Sequence, residues 1–305
     1  MNDVLTKIIE ECRHYIKDGK LADYIPELTK ANPNDFGIYI IDKDHKISYS
    51  GDYDKCFTIQ SIVKPILLLQ ALIDNGIEVV KNHVGVEATG KPFDAINYNE
   101  KSLLSENINP MVNIGAIAMT SLIKGETYKD KFDRLLELTR LLTGNPYIDI
   151  DYDVYRSEKA TGNKNRALGY LLKAYGMIED DVEDVLDCYF RACSIKMSCK
   201  DIAHMGLILA NHGKNPFTDE VIFSKDYAHY VNAILITCGM YDGSGEFAIK
   251  VGVPAKSGVG GGIMAVVPLR MGIGIYSPSL NSKGNSIAGI KALELLSQEL
   301  ELSIF

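Results

Sequence analysis

The stretch Phe57-Thr58-Ile59-Gln60-Ser61-Ile62-Val63-Lys64-Pro65 is where the chain changes character. Upstream, Phe36-Gly37-Ile38-Tyr39-Ile40-Ile41-Asp42 and Lys46-Ile47-Ser48-Tyr49-Ser50-Gly51 are joined by Lys43-Asp44-His45. Two β-prone runs with a short polar connection predict a hairpin. Downstream, apolar periodicity predicts helices over Ile66–Ile73, Val112–Ile123, Phe132–Leu142, Asn165–Tyr175, Val182–Ala192 and Ser198–Asn211. Ser198 and Lys200-Asp201 read as the cap of the last of these. No strand-like alternation separates them. β character returns at Ala248–Val253, Gly262–Pro268 and Met271–Ser277. Both ends of the chain carry helical spacing. Val4 to Tyr24 shows it in Val4, Leu5, Ile8, Ile9, Cys12 and Tyr15, and Ser286 to Glu301 in Ile287, Ile290, Leu293, Leu296 and Leu300. The order predicts an α/β plus all-α architecture, in which an antiparallel sheet flanked by the terminal helices carries an inserted helical domain. Residues 1–65 and 220–305 are expected to form the sheet domain and 66–219 the helical one, with the active site between them.

Composition narrows the function. A chain of 305 residues, 46% hydrophobic and 24% charged, is a globular protein and not a disordered one. Its 32 basic and 40 acidic side chains leave a net charge of −8, which disfavours a nucleic-acid backbone as partner. No run approaches the roughly 18 apolar residues of a membrane span. Near the N-terminus only Ile8 and Ile9 separate Lys7 from Glu10, Glu11 and Arg13, so no secretory signal is expected there. The six cysteines form no CxxC pair, which implies reduced thiols and a cytoplasmic location. The six histidines are scattered, and His204 and His212 lack the spacing of a helical zinc pair, so neither metal nor cofactor is expected.

Ser61 and Lys64 put a hydroxyl and an amine three residues apart, on one face of a helix. A lysine there takes the serine proton once desolvation lowers its own pKa. The pattern occurs twice, the second time at Ser121-Leu122-Ile123-Lys124. Context separates them. Ser61 stands where the hairpin ends and a helix begins, with a free N–H near the positive end of the helix dipole. Pro65 suits an early helical turn, although it biases Lys64 away from helical geometry. Ser121 and Lys124 read as a solvent-facing helix end. Lys256-Ser257-Gly258, before a glycine-rich turn, resembles the K-T-G strand that accompanies S-x-x-K in penicillin-recognising enzymes.

The glycines have a rival reading. Gly243 to Ala248 and Gly260 to Ala265 both fit GxGxxA, but both lead into β-like runs, whereas a dinucleotide site needs strand, turn and helix. No glycine stands at the positions that a phosphate loop ending in Lys256-Ser257 would require.

Seven segments in order then resemble the serine-dependent glutaminases of the β-lactamase-like fold. They are Ala22–Leu28, Phe57–Lys64, Asn109–Ile117, Ser157–Ala167, Tyr189–Ser194, Cys238–Asp242 and Lys256–Gly262. Lys164 stands where many members carry arginine, outside the inferred contacts. The resemblance implies hydrolysis of L-glutamine to L-glutamate and ammonia through a glutamyl-serine acyl-enzyme. It makes Ser61 the nucleophile, Lys64 its activator and Tyr241 a proton-transfer group. The N–H groups of Ser61 and Val259 become the oxyanion hole, and Tyr24, Ser61, Asn113, Glu158, Asn165, Tyr189, Tyr241 and Val259 bind substrate. It also implies a homodimer or homotetramer; charge and hydropathy have already argued against a nucleic-acid or membrane partner. Glu158 is suited to the α-ammonium of glutamine, and Asn113, Asn165 and the tyrosines to its α-carboxylate. Another amidohydrolase of the penicillin-recognising fold, or a non-catalytic amino-acid-binding protein, are the alternative readings.

Overall fold

A computed structural model describes residues 1–98 and 108–305. Helix α1 (Asn2–Cys12) leads through a 3₁₀ turn and an irregular segment into β1 (Gly37–Asp42), β2 (Ile47–Gly51) and the short β3 (Phe57–Thr58). Then follow α2 (Lys64–Asn75), α3 (Ile77–Lys81), α4 (Asn113–Ser121), α5 (Tyr128–Thr143), α6 (Tyr152–Thr161), α7 (Asn163–Ala174) and α8 (Val182–Cys193). After β4 (Lys196–Met197) come α9 (Cys199–Ala210), α10 (Lys225–Cys238), α11 (Ser244–Lys250), β5 (Ala255–Ser257), β6 (Gly262–Val267), β7 (Met271–Tyr276) and α12 (Ile287–Leu300). Among the described residues no helix is long and apolar enough to cross a membrane.

The expected hairpin is present, and β1 is the second strand of a five-stranded antiparallel sheet ordered β2-β1-β7-β6-β5. Successive side chains of a strand point to opposite faces. Ile38 and Ile40 of β1, Ile263, Ala265 and Val267 of β6, and Ile273 and Ile275 of β7 pack with Leu5, Ile8 and Ile9 of α1 and Leu293 and Leu296 of α12. Tyr39, Ile41, Met264, Val266 and Tyr276 face the other way, into the helical core. The terminal helices therefore cover one face of the sheet, and α9 lies against β7, β6 and β1 on the other. Burial on both faces explains why β1 and β6 read as nearly continuous apolar runs. At one edge, β2 turns Ile47 and Tyr49 outward; at the other, β5 is fully buried.

Several local expectations shift. The N-terminal helix stops at Cys12, and the chain passes through a 3₁₀ turn (Arg13–Asp18) to Gly19 instead of continuing to Tyr24. Ala248–Val253 is not a strand. Phe247 and Val251 are buried at helical i, i+4 spacing while Ile249 between them is 88% exposed, so α11 and its exit turn follow packing and not the β-propensity of Ile and Val. The first GxGxxA run therefore opens a helix, but it follows α10 and a 3₁₀ turn and no strand, so the dinucleotide pattern still fails. Ser198 caps α9 as expected, and Asp201 completes a reciprocal capping box.

Candidate active site

Ile59, just past β3, donates its N–H to the Ile195 carbonyl at 2.9 Å. Gln60 then takes a left-handed φ of 49°, and Gln60–Val63 form one 3₁₀ turn that feeds α2. Ser61 rides on that turn. Lys64 opens α2 with φ −58° and ψ −43°, helical despite the proline after it. Pro65 sits in the first turn, where its missing N–H removes no helical bond. Ser61 and Lys64 are thus one turn apart on one face.

The Lys64 side chain is fully buried, and Nζ donates to the Met111 carbonyl at 3.0 Å and to Asn113 Oδ1 at 2.8 Å. Burial pushes its pKa down to about 8, against the opposing fields of Cys193, Asp94 and Glu158. An uncharged amine has two N–H donors. The two carbonyl oxygens take both and leave the lone pair to receive a proton. No hydrogen bond joins Ser61 Oγ to Lys64 Nζ among the described residues. Catalytic contacts of this kind commonly close only around bound substrate.

The facing wall is β5 and the turn after it. A Cβ on Gly258 would lie 2.3 Å from the Ile59 carbonyl oxygen, and one on Gly260 would lie 2.3 Å from that of Thr58. Only glycine lets the two backbones touch here, which sets Val259 beside the turn that carries Ser61. Among the described residues, neither Ser61 N–H nor Val259 N–H donates to a backbone carbonyl. Tyr241 is buried and also left-handed, at φ 53°. Burial drives its pKa far up. The Ser61 hydroxyl and the Val259 N–H oppose that rise, yet neither closes a hydrogen bond to the phenol oxygen, which has no partner among the described residues.

Tyr24, Gln60, Ser61, Asn113, Glu158, Asn165 and Tyr189 line one cleft of about 230 Å³. Glu158, on α6, is buried, and its Oε2 has no partner among the described residues. Burial raises its pKa to about 8, opposed by the Gln60 amide, the Cys193 thiol and the charge of Lys64. Half of Tyr24 is exposed, but its hydroxyl end is desolvated near Tyr241, Glu158, Cys193 and Asp94, which pushes its pKa well up. Asn113 donates through Nδ2 to Asn165 Oδ1 at 2.9 Å, so Lys64, Asn113 and Asn165 form one chain. Asp187 of α8 accepts from Tyr155 and Lys159 of α6 and from Arg191 Nε at 2.7 Å. That cluster fixes α6 against α8, and so Glu158 against Tyr189 and Cys193.

The fold therefore gathers six of the expected residues around one cleft, with Lys64 behind its wall. Tyr241 lines a neighbouring hollow of about 250 Å³, and Phe93 is common to both spaces, its ring 4.7 Å from that of Tyr241. Val259 flanks the Ser61 turn from the sheet side. Gln60, Phe93 and Cys193 were not foreseen as cleft residues. Two of them carried a signal: Gln60 adjoins Ser61, and Cys193 lies one helical turn after Tyr189. Lys164 was expected outside the contacts, but it borders the cleft and pairs with Asp94 at 2.6 Å.

A buried Ser-Lys helix start facing a sheet edge, with helices closing the cleft, defines the class: an architecture of the β-lactamase-like kind. Comparison narrows it. The Glutaminase family model matches residues 19–305. Glutaminase 2 of Clostridium perfringens is 53% identical over 305 residues, the full length of both chains. The probable glutaminase of Bacillus subtilis, solved with 6-diazo-5-oxo-L-norleucine, superposes with a TM-score of 0.91 at 39% identity, over 100% of this chain and 97% of that one. A covalent complex of a Bacillus subtilis glutaminase with 5-oxo-L-norleucine, formed by reaction with the same compound, gives 0.91 at 39% identity, over 99% and 98%. The chain belongs to the glutaminase family.

Proposed function

We infer that the protein hydrolyses L-glutamine to L-glutamate and ammonia, with Ser61 as nucleophile. One observation carries the reading. A serine hydroxyl and a buried carboxyl group, Glu158, with one oxygen unpaired among the described residues, line the same small cleft. Glutamine has an amide for the first and an α-ammonium for the second. Tyr24, Asn113, Asn165 and Tyr189 are assigned to its remaining polar atoms.

In the first half-reaction, Ser61 Oγ attacks the side-chain amide carbon, and its proton moves to Lys64, or to the Tyr241 oxygen as that hydroxyl passes its own proton on toward the amide nitrogen. The carbonyl oxygen becomes an oxyanion held by the N–H groups of Ser61 and Val259. The C–N bond breaks as the nitrogen takes the proton, and ammonia leaves a glutamyl ester on Ser61. Water attacks that ester, its proton passes to the same base, and glutamate departs as Ser61 regains its hydrogen. No step needs a metal or a cofactor. In this reading the site lies between a sheet domain of residues 1–65 and 220–305 and a helical domain of 66–219. The reading also carries a homodimer or homotetramer and a cytoplasmic location, the latter supported by six free thiols.

The test is intact-mass analysis after incubation with 6-diazo-5-oxo-L-norleucine, followed by peptide mapping. One adduct on the peptide bearing Ser61, blocked by glutamine, is the expected result. An adduct elsewhere, or glutamine binding without ammonia release, would overturn the reading and favour a non-catalytic binding protein.

A further inference from the structure

Lys256, in the middle of β5, is fully buried. Its Nζ donates to the Gly239 carbonyl at 3.1 Å and to its neighbour Ser257's carbonyl at 2.7 Å. Among the described residues it has no carboxylate partner. Burying an amine without a counter-charge is costly, and a lysine kept at such a place needs a reason. Satisfying Gly239 is not that reason, because the Ser257 N–H already reaches the same carbonyl at 3.1 Å. Beyond its two carbonyls the amine faces an aromatic ring: Nζ lies 4.4 Å from the ring centroid of Tyr241.

Tyr241 needs holding. Its left-handed backbone is unusual for a bulky residue and persists only where the surroundings impose it. Ser244 Oγ donates to its carbonyl at 2.9 Å, and Asn285 Nδ2 to that of Met240 at 3.1 Å, so the turn itself is pinned. Those bonds fix the main chain but do not set the ring, which packs with Ala22, Val259 and Leu280. Phe93 touches the ring from a loop, whereas Lys256 touches it from the sheet edge that also delivers Val259.

We propose that Lys256 is a positioning residue: anchored on two carbonyls, its amine seats the Tyr241 ring so that the hydroxyl faces Ser61 and the Val259 N–H. The proposal rests on the proton-transfer role given to Tyr241 above. Lys256 does not line the cleft that holds Ser61 and Glu158.

The test is a double-mutant cycle on ammonia release, using Lys256→Met, Tyr241→Phe and the double variant. Methionine keeps the unbranched shape and removes only the amine. Tyr241→Phe is expected to lower kcat by on the order of 10²- to 10⁴-fold. Lys256→Met should lower kcat by on the order of 10²-fold with KM little changed, as for a misplaced catalytic group. Combined with Tyr241→Phe, it should cost nothing further. Multiplicative losses in the double variant would overturn the proposal, because Lys256 would then act independently of the hydroxyl. So would wild-type kcat in Lys256→Met. Near wild-type turnover in Tyr241→Phe would instead overturn the role of Tyr241 itself, and the proposal with it. Circular dichroism and gel filtration check folding. If Lys256→Met fails to fold, Lys256→Gln carries the same cycle; if both fail, Lys256 is purely structural and the proposal is wrong.

Discussion

The chain contains the same four-residue pattern twice, and the two copies have opposite fates. Ser61 and Lys64 straddle the entry to α2, under helical cover and against the sheet edge. Lys64 has no solvent exposure, and burial lowers its proton affinity. Ser121 and Lys124 straddle the exit of α4. Ser121 Oγ donates to the Ala118 carbonyl at 2.8 Å, so it is occupied within its own helix. Lys124 is exposed, and its backbone N–H is taken by Asp74 Oδ2 at 2.8 Å. Spacing alone gives both pairs one face. What differs is position along a helix and the burial around it. A helix start offers free N–H groups and a positive dipole end to a developing anion, whereas a helix exit offers carbonyls. The pattern becomes chemistry only where tertiary structure removes the water from the amine.

That contrast breaks most sharply at the two serines. Ser61→Ala is expected to lower the rate of ammonia release by on the order of 10⁶-fold, as when a nucleophile is removed from an acyl-transfer enzyme. Ser121→Ala should leave turnover unchanged and alter stability by about 0.5 kcal/mol or less. Coupled ammonia detection and thermal melts of both variants check this. Equal rates in the two variants would mean that the copies are equivalent and that the site lies elsewhere. The next effect in size concerns the facing wall, which the second copy lacks. Gly258→Ala places a methyl 2.3 Å from the Ile59 carbonyl oxygen. Because the clash is with main chain, the turn must move and take the Val259 N–H with it. A loss in kcat of about 10²- to 10³-fold is expected, the usual cost of one oxyanion donor. Unchanged kcat in a folded variant would remove Val259 from the mechanism.

The same contrast shows how much was legible in the sequence. The hairpin, β6, β7, the C-terminal helix and the core of six internal helices follow from periodicity, because each has a clear apolar face or run. Helix α6 went unread because only Val154, Tyr155 and Glu158 of its ten residues are buried, so it has almost no stripe to detect. Helix α10 went unread inside a region expected to be mostly strand. In α11, Phe247 and Val251 decide the conformation, and Ile249 misleads by looking like a strand residue while pointing into water. At the site, spacing could place Ser61 beside Lys64 but could not say which copy is buried. Glu158 read by itself is a solvated surface charge. It sits over the cleft because the Asp187 cluster fixes α6 on α8, a contact between residues some 30 positions apart that no local pattern encodes. The remaining binding residues were named by family resemblance, since an asparagine or a tyrosine has no periodic signature of function.

The smallest effect is the pH profile, and it sharpens the account of the first copy alone. Lys64 starts from 10.5 and is pushed down by burial to about 8; Glu158 starts from 4.5 and is pushed up by burial to about 8. Base catalysis needs Lys64 uncharged, and holding an α-ammonium needs Glu158 charged, so both active forms are the deprotonated ones. Activity therefore rises with pH, each gain being half made at about 8 and levelling off above it. Below that, each pH unit costs about tenfold in uncharged lysine and about tenfold in ionised glutamate. In kcat/KM, which reports the free enzyme, the two losses combine, so the acid limb should approach a slope of 2. Saturating glutamine brings an ammonium to Glu158 and keeps it ionised, so kcat should fall with a slope near 1, or about tenfold between pH 7 and 6. Steady-state kinetics from pH 6 to 9 measure both limbs. A slope of 1 in both would release Glu158 from substrate binding. A flat kcat across the range would mean that the buried amine beside Ser61 is not the base, and that the two copies of the pattern differ only in where they lie.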